Sequence, residues 1–252
     1  MEIANYLNQN DLLIIQKGQD YLQKDNIEAP CRIWSVGTGD DNDFVVSDVA
    51  MLDGVSTGFT LTHGTETVRI NLPIPGAHHA FNAAQAVAVG VELGISIEEA
   101  AQGLASLRMT GSRLDVKEER GFRDSVIIDD AYNASPDSMR AGIQTLMALE
   151  GPRKVAILGD MLELGDESQA YHREVGTFAK DAGVNLVLGV GELAKELVEA
   201  SGPIGIHFPD KQMLMDALPQ LIQTNDVILI KASRGMALDQ VVETLLSKKE
   251  NK

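Results

Sequence analysis

From Gly111 onward the chain repeats one pattern: a short apolar, β-branched run, a polar turn, then a segment of helical length. The apolar runs fall at 125–129 (SVIID), 154–158 (KVAIL), 186–190 (LVLGV) and 226–230 (DVILI), with a shorter one at 205–208. Helices are expected over 137–149, 169–182, 192–201, 211–223 and 238–247. Strands joined by helices of this length return as parallel neighbours, and near-continuous apolar strands imply a sheet covered on both faces. The expected fold class is therefore α/β, with a Rossmann-like, mainly parallel sheet in this half. In such a sheet ligands bind at the carboxyl ends of the strands.

Four loops leave expected strand ends. The first is Ser125 to Met139, SVIIDDAYNASPDSM, which carries Asp129, Asp130, Tyr132 and Asn133. Ser135 is a good N-cap, and Pro136 suits the first helical position. Ordinary capping and a ligand site both remain open there. The second loop, LGDMLELG at 158–165, presents Asp160 and Glu163. The third, GVGELAK at 189–195, lacks the last glycine of a dinucleotide fingerprint and reads as a tight turn, which counts against a nicotinamide-dependent oxidoreductase. The fourth, KASRG at 231–235, places Lys231, Ser233 and Arg234 together. In an acidic chain these cations are either an anion site or partners of nearby carboxylates. His172 reads as a half-buried packing residue.

Residues 1–110 form a different unit, and the boundary falls near Leu107–Gly111. Strands are expected at 11–16 and 44–49, and a hairpin over 58–74 around His63-Gly64. Two helices follow, over 77–93 with Gly94 as its stop, and 96–107 opened by a Ser96–Glu99 capping box. His78, His79 and Asn82 occupy the first turn of the former, where a capping role is the simplest. Arg113, in TGSRLDV just past the boundary, either closes on a ligand or pairs with an acid.

The formal net charge of -16 argues against a polyanionic partner. A single cysteine, Cys31, excludes an intrachain disulfide and fits a reducing, cytoplasmic setting. No leader-like segment and no apolar run of membrane-spanning length is present. There is no GxxxxGK[ST] loop, no arguable Ser–His–Asp or Cys–His arrangement and no metal-ligand spacing.

The segments GAHHAFNAAQAVA, TGSRLDV, IIDDAYNASPDSM, VAILGDMLELG with HREVG, and ILIKASRGMALDQVV resemble the Mur ligase family, in that family's order. DDAYNASP with LGDMLELG is similar to the branch that adds D-alanyl-D-alanine to UDP-N-acetylmuramoyl-tripeptide. The resemblance implies that 1–110 is the C-terminal part of a central ATPase domain and 111–252 a C-terminal ligase domain. The UDP-sugar domain, the P-loop, the Mg²⁺ ligands and a carbamylated lysine would lie upstream of Met1. It implies ATP and Mg²⁺ as cofactors and an acyl-phosphate route, with this chain inactive alone. A non-catalytic binding remnant of the same fold is the alternative. Carried over by position, Asn82 would contact adenine, Arg113 the phosphates and Asp130 the ribose. Asn133, Asp160, Lys231, Ser233 and Arg234 would line the dipeptide site. The family's H-N-x-x-N reads here with His79 in place of the first Asn. A sheet left incomplete in residues 1–110 would favour self-association.

Overall fold

The computed structural model describes residues 2–18, 27–52, 56–107, 114–117 and 119–247. The chain divides into two compact units, Met1–Arg108 and Met109–Lys252.

The first unit holds a sheet in the order β1-β2-β3-β4-β5, formed by Leu12–Gln16, Arg32–Gly37, Phe44–Leu52, Ser56–His63 and Glu66–Leu72. β1, β2 and β3 run parallel, and β3, β4 and β5 antiparallel. The expected hairpin is β4–β5: His63 pairs with Glu66, and Gly64 takes the left-handed backbone (φ 59°) that the tight turn needs. Strand β2 was not foreseen, because RIWSVG mixes polar and apolar residues without a clean period. Helix α1 spans His78–Glu92 and α2 Ile97–Leu104. Past α1 the Ile95 N–H bonds to the Gly90 carbonyl and the Gly94 N–H to that of Val91, a Schellman stop with Gly94 at φ 86°. Ser96 caps α2 by accepting the Glu99 N–H. The first turn of α1 has no such cap. Ala77 stands at its N-cap position without a side-chain bond, so the expected capping by His78, His79 or Asn82 is corrected.

In the second unit the order is β10-β9-β8-β11-β7-β6. The strands are β6 Asp115–Val116, β7 Val126–Asp130, β8 Lys154–Gly159, β9 Leu186–Val190, β10 Gly205–Phe208 and β11 Val227–Lys231. All neighbours are parallel except β6, an antiparallel edge strand too short to show in the sequence. The helices are α3 Pro136–Ala148, α4 Ser168–Asp181, α5 Ala194–Ser201, α6 Lys211–Leu221 and α7 Asp239–Ser247. Each expected element is found, with ends displaced by a residue or two.

Strand alternation sorts the core into two layers. Ile128, Ala156, Leu158, Val187 and Leu229 pack against Met139 and Ile143 of α3, Val175 of α4 and Leu197 of α5. Ile127, Val155, Ile157, Leu188, Ile228 and Ile230 pack against Leu214 of α6 and Val241 of α7. Three helices thus cover one face and two the other. β7 and β8 send the chain to α3 and α4 on the first face; β11, lying between them, sends it to α7 on the second. The loops part over the tip of β11, the switch point at which open α/β sheets bind ligands. Among the described residues no helix is long and apolar enough to cross a membrane.

The first face depends on close helix packing at Gly176. A Cβ there would lie 2.0 Å from the Leu197 carbonyl oxygen of α5. Because the obstacle is backbone, the helices themselves would have to separate. Gly176→Ala is expected to cost about 3 kcal/mol in urea unfolding, near the upper end for overpacking.

Candidate functional site at the strand tips

The two adjacent acids at the end of β7 do different things because successive strand residues face opposite ways. Asp129 turns to Lys117, with Oδ2 3.0 Å from Nζ, and accepts the Ala131 N–H on Oδ1. Asp130 turns the other way, beneath α3. Its Oδ2 lies 2.6 Å from Lys231 Nζ and its Oδ1 accepts the Leu114 N–H at 3.1 Å. Lys231 is the in-register neighbour of Asp130 across β11–β7, so the two side chains leave the sheet on the same face. The ammonium also donates to the Asn133 carbonyl at 2.9 Å, tying the tip of β11 to the loop that starts α3. Only 2% of Lys231 and 6% of Asp130 is exposed. Gly142 of α3 makes room for them: a Cβ there would stand 3.2 Å from Lys231 Cδ and 3.5 Å from Asp130 Oδ2.

Burial pushes the Asp130 carboxyl above its ordinary range, against the pull of Lys231. Burial likewise lowers the Lys231 ammonium, against the pull of Asp130. Each charge loses more by leaving water than its partner returns, as is usual for buried ion pairs.

Beyond this pair, residues of that loop and of the loop after β11 reach the surface. Arg234 is exposed, its guanidinium carbon 5.3 Å from the centre of the Tyr132 ring. Asn133, next to Tyr132 in sequence, is exposed. Ser233 is buried and joins β11 to the loop after β8: its N–H donates to the Asp160 carbonyl, and its Oγ accepts the Leu162 N–H at 2.9 Å. The Asp160 carboxylate accepts the Ala194 N–H at 2.7 Å, capping the start of α5 from a neighbouring loop. Gly191 permits this, since at φ 111° and with its Cβ position 2.5 Å from the carboxylate atoms no side chain fits.

Lys231 therefore gathers Asp130 and Asn133, Ser233 joins Asp160, and Arg234 meets Tyr132, so residues 231–234 of one short stretch reach the loops at the tips of both β7 and β8. Lys231 and Arg234, grouped by sequence as a cationic pair, point to different neighbours. Tyr132, expected in this loop without a role of its own, lies against Arg234, and His172, expected only as a packing residue, bonds the backbone of the loop after β8. His172 is fully buried, not half-buried as expected, because its ring fills the space between α4 and the loop after β8. Asn82 is exposed in the first turn of α1, in the other unit. Arg113 lies outside the described residues. Among the described residues no group of three or more His, Cys, Asp or Glu side chains could hold a metal ion.

Two outcomes are expected. Asp130→Asn or Lys231→Met leaves a buried charge without its counterion and should cost about 3–5 kcal/mol in urea unfolding. The double variant Asp130→Leu with Lys231→Met should recover most of that loss. In the first unit, burial and the neighbouring His78 lower the His79 imidazole to about 4, so the fold holds it neutral. Between its ordinary value of 6.5 and about 4 the unfolded chain binds the extra proton, and stability should fall as pH drops through that window. His79→Asn should flatten the pH dependence of the urea midpoint there.

Residues 112–234 match the family model described as Mur ligase, glutamate ligase domain. The UDP-N-acetylmuramoyl-tripeptide–D-alanyl-D-alanine ligase of Bacillus subtilis is 37% identical over 98% of this chain and 53% of its own length. The enzyme of that name from Escherichia coli is 36% identical over 97% of this chain and 54% of its own length. Among solved structures, MurF from Acinetobacter baumannii superposes with a TM-score of 0.87 at 28% identity, over 98% of this chain and 54% of that one. The MurF ligase of Thermotoga maritima in complex with ADP gives 0.82 at 26% identity, over 98% and 56%. The chain spans about half the length of the curated relatives it matches. Residues 112–234, just under half of the chain, are a Mur ligase glutamate ligase domain.

Proposed function

We propose that this chain supplies the amine-substrate half of an ATP-dependent carbon–nitrogen ligase. The reaction would join D-alanyl-D-alanine to UDP-N-acetylmuramoyl-tripeptide in cytoplasmic peptidoglycan precursor synthesis. The observation that carries the reading is the linkage of Asp130, Lys231, Ser233, Asp160 and Arg234 at the strand tips, within the segment that matches the family. In this reading residues 1–110 are the C-terminal part of the central ATPase domain and 111–252 the ligase domain.

The chemistry asked of these residues is positioning. An acyl phosphate of the tripeptide carboxylate is the electrophile, and the dipeptide's amine displaces phosphate from it. Arg234 is the group for the dipeptide carboxylate: it is exposed, always charged and able to bond two oxygens at once. Exposed Asn133 and, from the loop after β8, Asp160 are the further polar contacts in this reading. Lys231 acts from below, holding the Asn133 carbonyl and Asp130. For the nucleotide, Asn82 would meet adenine, Asp130 the ribose and Arg113 the phosphates. The described residues do not assemble a triphosphate cradle or a Mg²⁺ site, so no step is derived through either. In this reading both would come from a P-loop-bearing half, and the chain would be inactive without it.

Isothermal titration of the 252-residue chain with D-alanyl-D-alanine tests the reading. Saturable binding is expected, with Arg234→Lys weakening it about tenfold and Arg234→Ala more, as for loss of a bond to a charged group. Absence of binding by the unaltered chain would remove the assignment. Binding without turnover, when a P-loop-bearing half of a relative is added, would favour a non-catalytic module. Self-association is proposed through β1, an edge strand of sequence LLIIQ, and would appear as a mass above monomer in light scattering.

A further inference from the structure

We propose that His172 is a positioning residue for the strand-tip site, and that it acts with Nδ1 as donor and Nε2 as acceptor. The role at the dipeptide site rests on the reading of the previous subsection; the pin itself does not. His172 is fully buried, with both ring nitrogens engaged. Nδ1 lies 2.7 Å from the Ser168 carbonyl oxygen, which can only accept. Nε2 lies 3.0 Å from the Met161 N–H, which can only donate. One arrangement satisfies both: Nδ1 donates and Nε2 accepts. A protonated ring would set two donors against each other at Nε2.

The bond to Met161 sits in the middle of a three-residue clamp. The Asp160 carbonyl before it accepts the Ser233 N–H, and the Leu162 N–H after it donates to Ser233 Oγ. Asp160 also holds the start of α5 through Ala194. Ser233 precedes Arg234, whose guanidinium lies over Tyr132. A helix-borne imidazole on α4 therefore fixes the backbone on which the exposed cation is mounted, without touching a ligand.

Two substitutions separate the acceptor from the donor. In His172→Gln the amide oxygen reaches the place of Nε2 and can accept the Met161 N–H. In His172→Asn the amide reaches only the place of Nδ1, and Met161 loses its acceptor. Both replace the buried ring, so both should lower the melting temperature. Amide hydrogen exchange at Leu162 and Ser233, with Ile228 and Leu229 as core references, reads the clamp. Titration with D-alanyl-D-alanine reads the site. In the Asn variant, exchange at Leu162 relative to the core should accelerate about tenfold and dipeptide affinity should fall about tenfold, the size of one lost hydrogen bond. The Gln variant should stay within about threefold of the unaltered chain in both, as expected where that bond is kept. Equal exchange in the Asn and Gln variants overturns the pin. Faster exchange in the Asn variant with unchanged affinity overturns its role at the site. If the unaltered chain binds no dipeptide, the ligase reading falls, and the exchange contrast alone decides whether His172 pins the loop.

Discussion

A parallel sheet buried on both faces confines where this molecule can do chemistry. Ile127, Ile128, Val155, Ala156, Ile228 and Leu229 are fully buried, so the middle of the strands has no place for a polar group without a partner. Polar side chains collect at the tips, where strand hydrogen bonding ends and loops begin. The pair Asp130–Lys231 marks the transition. It is still inside the layer under α3, yet it is bonded to the Asn133 carbonyl of the loop beyond.

The strand order decides which tips meet. Because β11 is inserted between β8 and β7, residues far apart in sequence become neighbours: Lys231 and Asp130 are separated by 101 positions. The site is assembled by the last strand to be added along the chain. Its residues at 231–234 touch the loops after β7 and β8, and the second of those holds the start of α5 through Asp160. A change at any one of these contacts is felt by the others, since they share backbone groups as well as side chains.

The periodic features were legible in the sequence. Continuous apolar runs gave the parallel strands, Ser135-Pro136 gave the start of α3, and Gly94 gave the stop of α1. Strand β2 and the two-residue β6 were not legible, because neither has the length or alternation that marks a strand by itself. At the site, residue types at strand ends singled out Asp130, Asp160, Ser233 and Arg234. What each one faces was hidden. That Asp129 and Asp130 part to opposite faces follows from strand alternation only once the register is known. The place of His172 depends on Met161 and Ser168, and a lone histidine on a helix gives no sign of which backbone groups it will bond.

The stacking of Arg234 on Tyr132 has a kinetic side. A long cationic side chain on a free surface samples many rotamers, and an arriving anion must wait for, and then freeze, the right one. Here the aromatic ring and the clamped backbone beneath have already narrowed that search during folding. The ring face is apolar, so it leaves the outward N–H groups for water. Under the proposed reading, a dipeptide carboxylate would then exchange with water on a cation whose rotamers are already narrowed.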